Sequence, residues 1–129
     1  MRGEPSSPPS RTAIPTLSAA LRATGAQAVA VTGGDSADAP GWSLDWIDTP
    51  HANGWLALPR VDAPYNHGTG CTFATSAACA LARGFVPADA LVLAKMATTH
   101  ALRHGYAAGQ GAGPVAARAG FATEPALIP

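Results

Sequence analysis

Charge is scarce in this 129-residue sequence and cancels where it occurs: eight Lys+Arg stand against eight Asp+Glu, 12% of the chain in all. With no basic excess there is no cationic stripe to release counterions from nucleic acid and no polybasic patch for an anionic lipid surface. Neither a nucleic-acid nor a membrane partner is expected. Lysine is rarest, with Lys95 the only one. Long apolar runs are missing too. The hydrophobic content of 47% is inflated by alanine, and no run approaches the ~18 to 20 residues that span a bilayer. The first ten residues lack the apolar stretch of a secretory signal, and two cysteines eight positions apart suit neither a disulfide framework nor a CxxC pair. A soluble, cytoplasmic protein is the expectation. The sequence also has no Ser-His-Asp order, no HExxH and no Walker A ending, which leaves hydrolase and P-loop readings without support.

The length suits one small domain or a piece of a larger one. Residues 1–12, rich in Pro and Ser, are expected to form a disordered lead. Leu17, Ala20 and Leu21 recur at helical spacing between Thr16, a candidate N-cap, and Gly25, a candidate αL terminator. Ala28 to Val31 is a continuous apolar run stopped by Thr32-Gly33-Gly34, which reads as a buried strand of the parallel-sheet kind with neighbours on both sides. Trp42–Asp48 and Gly54–Val61 read as two more strands, the second an edge strand or one that ends at Pro59. Trp42, Trp46 and Trp55 are expected to cover the sheet. A small-residue helix follows Cys71 and stops at Gly84. Pro87 opens a longer helix to about Tyr106, with Leu91, Ala94, Thr98, Ala101 and Leu102 on its apolar face and Lys95, Thr99 and Arg103 largely off it. Residues 109–129 form a Gly/Ala/Pro-rich tail with little pattern. Three helices and three strands do not close an α/β layer structure, so the chain reads as half of a larger α/β domain.

His67-Gly68-Thr69-Gly70-Cys71-Thr72 is the most informative stretch. Two glycines let the backbone turn and approach a ligand while the next residues open a helix, so successive N–H groups converge where the macrodipole favours an anion. A glycine pair before a helix is by itself equally a tight connection. Cys71 shifts the balance: at the first turn of a helix a thiolate is favoured and can serve as base or nucleophile, although a small packed thiol is the commoner fate of a cysteine. Cys79, two turns on, is assigned to packing. Thr32-Gly33-Gly34, at the carboxyl end of a strand, occupies the usual ligand-facing end of an α/β sheet. Lys95 is either a phosphate contact or, more commonly for such a lysine, a solvated side chain. His100 and His104 are spaced i, i+4 without a third ligand, so no metal site is assigned. His67 is expected to steady the loop through a hydrogen bond, and His51 lies in a turn.

Taken in order, Val31-Thr32-Gly33-Gly34, two strands, His67 to Phe73, Gly84 and Ala94-Lys95 resemble the C-terminal part of the hydroxymethylpyrimidine/phosphomethylpyrimidine kinases of thiamine biosynthesis. The resemblance runs from about Leu17 to about Tyr106, within a kinase-domain segment placed at 13–108. It implies an incomplete ribokinase-like (Rossmann-like) three-layer α/β fold, its C-terminal half only. It also implies ATP- and magnesium-dependent phosphorylation of 4-amino-5-hydroxymethyl-2-methylpyrimidine and then of its monophosphate. By resemblance, Gly68, Thr69 and Gly70 form the anion hole, Cys71 replaces the aspartate base of most ribokinase-like enzymes, and Thr32, Gly33, Gly34 and Lys95 border the nucleotide. The family's N-terminal half, which holds most of the pyrimidine pocket, has no match here, nor does the acidic, Asn-containing segment that helps place magnesium. A truncated gene, an incomplete gene prediction or one half of a split enzyme would each account for that, with a homodimer or a complementary N-terminal half as the expected partner. The alternatives are a fragment of a pyridoxine or pyridoxal kinase and a non-catalytic remnant or nucleotide-binding module.

Overall fold

The computed structural model describes residues 11–33, 39–111, 113–116 and 125–129. The expected lead over 1–12, apart from its last two residues, and Gly34 lie outside them. The order is α1 (Ile14–Ala23), β1 (Val29–Thr32), β2 (Trp42–Asp48), β3 (Asn53–Pro59), α2 (Thr69–Ala82), α3 (Pro87–Arg103) and β4 (Ala126–Ile128). The strands form one antiparallel sheet in the order β1-β2-β3-β4.

β1 lies one residue later than expected and is half-buried, and among the described residues it pairs only with β2, antiparallel. Its apolar run reflects two apolar faces and says nothing of strand direction: Ala30 packs against the core, and Val31 stands opposite Trp46. β2 matches its expected span, and β3 ends at Pro59, which has no N–H to continue a ladder. The hairpin between them closes on buried Thr49, whose hydroxyl donates to the Ala52 carbonyl at 2.8 Å and accepts the Ala52 N–H at 2.9 Å. The tail, expected to lack pattern, supplies β4 on the far side of β3.

Strand alternation sorts the sheet into two faces. Ile47 and Leu56 look toward α2 and α3, where they join Phe73, Ala77, Leu91 and Ala94 in the core. Trp46 and Trp55, opposite each other in register, meet edge to face with centroids 5.2 Å apart on the other face. Trp42 is half-exposed. Asp48 shares the tryptophan face and holds α1 there: its Oδ2 accepts from fully buried Ser18 at 2.9 Å, and its Oδ1 pairs with Arg22 at 2.7 Å.

Several helix expectations change, and α2 starts at Thr69, before Cys71 and not after it. α1 starts at Ile14 with Ala13 as N-cap, because Pro15 in the first turn loses no hydrogen bond; Thr16 is already inside. α2 buries Phe73, Ala77 and Ala80, and Cys79, off that stripe, is exposed and not packed. α3 stops at Arg103 because the Tyr106 N–H turns to the Pro114 carbonyl and Gly105 is pressed against the Tyr65 carbonyl, where a Cβ would lie 2.7 Å away. Lys95 and Thr99, expected off the apolar face, are buried. Lys95 is buried because its ammonium meets Asp45 on β2. No described helix is long and apolar enough to cross a membrane.

Candidate phosphate-binding site

The glycine loop carries the helix start. Gly68 is the N-cap of α2 with φ of +90°, a left-handed conformation that costs a side chain-bearing residue dearly, and its carbonyl accepts the first helical bond from the Thr72 N–H at 2.8 Å. No side chain caps this end: the Thr69 hydroxyl donates away to the Asn66 carbonyl at 2.6 Å. Helix geometry leaves the Gly70 and Cys71 N–H groups without intrahelical acceptors. The loop is fixed from behind by the tail. The His67 N–H donates to the Gly113 carbonyl at 3.1 Å and the Val115 N–H to the His67 carbonyl at 3.0 Å. The hydrogen bonds that His67 makes here come from its backbone.

In front of the loop lies a cleft of about 530 Å³, within the roughly 300–1,000 Å³ common for small-molecule sites. His67, Gly68, Thr69 and Gly70 line one side; Thr32, Ser43, Asp45 and Lys95 line another. Lys95 is 2% exposed, which corrects the expectation of a solvated side chain. Its Nζ lies 2.6 Å from Asp45 Oδ2 and donates to Ser43 Oγ at 3.1 Å. Asp45 Oδ1 in turn accepts the Gly33 N–H at 2.8 Å.

The structure therefore brings Thr32, Gly68, Thr69, Gly70 and Lys95 to one cleft, with Gly33 tied to its wall through Asp45. Cys71 stands at the third position of α2, exposed and outside the cleft lining. His100 and His104 stack at 4.8 Å, and the His104 Nδ1 meets the His100 carbonyl at 2.8 Å. Among the described residues no three His, Cys, Asp or Glu side chains gather as a metal site. Sequence reasoning missed Asp45, Ser43, Arg60 and Asn66. A signal for Asp45 existed: it shares strand parity with Ile47, so a carboxylate faces the core and needs a buried partner.

A model of the family described as phosphomethylpyrimidine kinase matches residues 7–116. The chain belongs to that family. It is 38% identical over 97 residues to the hydroxymethylpyrimidine/phosphomethylpyrimidine kinase of Streptomyces coelicolor, covering 75% of this chain and 35% of that protein. It is 32% identical over 94 residues to the pyridoxine kinase of Bacillus subtilis, covering 73% and 34%. The pyridoxal kinase of Staphylococcus aureus, solved in complex with AMP-PCP, superposes with a TM-score of 0.79 at 30% identity, over 85% of this chain and 40% of that one. The fold is accordingly ribokinase-like, in part. This chain spans about a third of the length of the curated relatives it matches.

Proposed function

We propose that this chain is the nucleotide- and phosphoryl-binding portion of a kinase that transfers the γ-phosphoryl group of ATP to the hydroxymethyl group of 4-amino-5-hydroxymethyl-2-methylpyrimidine, and then to the resulting monophosphate. The observation that carries the reading is the cleft in which an uncapped helix N-terminus and its glycine loop face a buried lysine. Phosphoryl transfer asks mainly for positioning and for stabilisation of charge on the transferring group, which preorganised N–H groups supply. Gly68, Thr69 and Gly70 hold the phosphoryl oxygens. Thr32, Gly33, Gly34 and Lys95 border the nucleotide, the Lys95 ammonium remaining on Asp45. The Cys71 thiolate, open to a substrate, takes the proton of the hydroxymethyl group as its oxygen bonds to the γ-phosphorus and the bond to the ADP oxygen breaks.

Magnesium takes few protein carboxylates and otherwise phosphate oxygens and water. Asp45 spends both oxygens on Lys95 and Gly33, so Asp62 is the cleft carboxylate suited to such an ion. When bound with the nucleotide, magnesium neutralises phosphate charge. A complementary N-terminal portion or a second copy of the chain would complete the pyrimidine pocket. A second reading, phosphorylation of pyridoxine or pyridoxal, is favoured by the Bacillus subtilis relative and by the Staphylococcus aureus structure, whose AMP-PCP is an ATP analogue.

The test is to incubate the purified chain with ATP and magnesium, with and without an N-terminal portion from a family member, offering hydroxymethylpyrimidine and pyridoxal in competition. Phosphorylated pyrimidine supports the reading, and phosphorylated pyridoxal supports the second. ATP binding without product in any arm identifies a nucleotide-binding module and defeats the catalytic claim.

A further inference from the structure

Asp45 has no role of its own in the reading above, yet three segments converge on it. It is 6% exposed in the middle of β2, in register with Thr32 of β1 and Leu56 of β3. One carboxylate oxygen accepts the N–H of Gly33, the residue just beyond β1; the other accepts from Lys95 on α3. Gly33 is seated so closely on β2 that a Cβ there would lie 1.9 Å from the Leu44 carbonyl oxygen. The Lys95 ammonium is held a second time by Ser43, two residues before Asp45 and on the same face of β2.

Such a pair has little reason to exist for stability alone, because well-packed apolar replacements of a buried ion pair are often as stable or more so. What a two-ended carboxylate adds is geometry. Gly33 lies past the last ladder pair of β1, so Asp45 is the acceptor that holds the chain just beyond the strand. The same side chain sets the position of Lys95 across the cleft.

We propose that Asp45 is a positioning residue of the nucleotide site, clamping the end of β1 at Gly33 with one oxygen and Lys95 with the other so that two walls of the cleft hold a fixed spacing. The inference rests on the reading of this cleft as the site of ATP. Both Asp45 oxygens are engaged by the protein, so it acts through Gly33 and Lys95.

The test compares the chain with Asp45→Ala, Lys95→Met and Asp45→Asn/Lys95→Met. Amide hydrogen exchange is followed at Gly33 and along α3, and magnesium-ATP binding is measured by titration calorimetry. In Asp45→Ala, Gly33 exchange accelerates about tenfold or more, the loss expected for a hydrogen bond to a charged acceptor, while amides in the middle of α3 keep their protection. ATP binding weakens by a similar factor. In Asp45→Asn/Lys95→Met the carboxamide oxygen still accepts the Gly33 N–H and no ammonium is stranded, so Gly33 protection returns, which a general loss of structure would not allow. This double variant carries the test if Asp45→Ala does not fold. Unchanged Gly33 exchange in Asp45→Ala, or ATP affinity equal to that of the unaltered chain despite a freed Gly33, overturns the proposal. If the unaltered chain binds no ATP, the functional reading fails, and the Gly33 exchange then reports on the clamp alone.

Discussion

The Nζ of Lys95 sits 2.6 Å from Oδ2 of Asp45, with 2% of the lysine side chain and 9% of the aspartate side chain exposed. The one lysine of the chain is thus the partner of a buried carboxylate, and each is the other's compensation for lost hydration. Lys95→Met alone leaves Asp45 buried beside a methyl group and is expected to destabilise the fold by about 3–5 kcal/mol. Asp45→Leu combined with Lys95→Met removes both charges and is expected to recover most of that loss. Urea titration of the three proteins checks it, and equal destabilisation of the single and double variants would refute the pairing argument.

The two glycines of the loop should separate folding from binding. Gly68→Ala forces a Cβ into a left-handed backbone at the N-cap, a cost of about 1–2 kcal/mol. Gly70 has helical geometry, and a Cβ there meets nothing within 4 Å. Gly70→Ala should therefore melt at or above the temperature of the unaltered chain, yet bind ATP more weakly, since Gly70 lines the cleft. Thermal melts beside calorimetry decide both.

Cys71→Ala should leave the fold almost untouched, within about 0.5 kcal/mol, because the thiol is exposed. ATP binding should persist, and any transfer to a hydroxymethyl substrate should stop. Turnover by the alanine variant at an undiminished rate would remove the thiolate from the proposed chemistry.

Asp48 is where α1 is fastened. Asp48→Ala leaves the hydroxyl of fully buried Ser18 without its acceptor and frees Arg22, an expected loss of about 1–3 kcal/mol. Hydrogen exchange should rise in α1 before it rises in α2 or α3, because the burial of Ile14 and Ser18 depends on that attachment.

Features set by neighbours in the chain were legible in advance. The span of β2, the stop of β3 at Pro59 and the start of α3 at Pro87 follow from local chemistry: strand alternation, a missing N–H and a fixed φ, whereas α2 starts at Thr69, ahead of its expected start after Cys71. The glycine loop was legible as the start of a helix without a side-chain cap for the same reason, since that start depends on local backbone geometry alone.

What the sequence determined by itself is the local set: most helix and strand segments, the glycine loop with Cys71 behind it, the near-zero charge and the family resemblance. Tertiary structure decided the rest. Whether Ala28 to Val31 pairs parallel or antiparallel, whether the tail yields β4, and whether Lys95 meets water or Asp45 depend on residues far apart in sequence, 50 positions in the last case. Helical periodicity put Lys95 off the apolar face because it weighs side chains by polarity. Burial is settled by whether a partner of opposite charge waits across the interface, and that partner stands on β2, where only the folded chain brings it within reach.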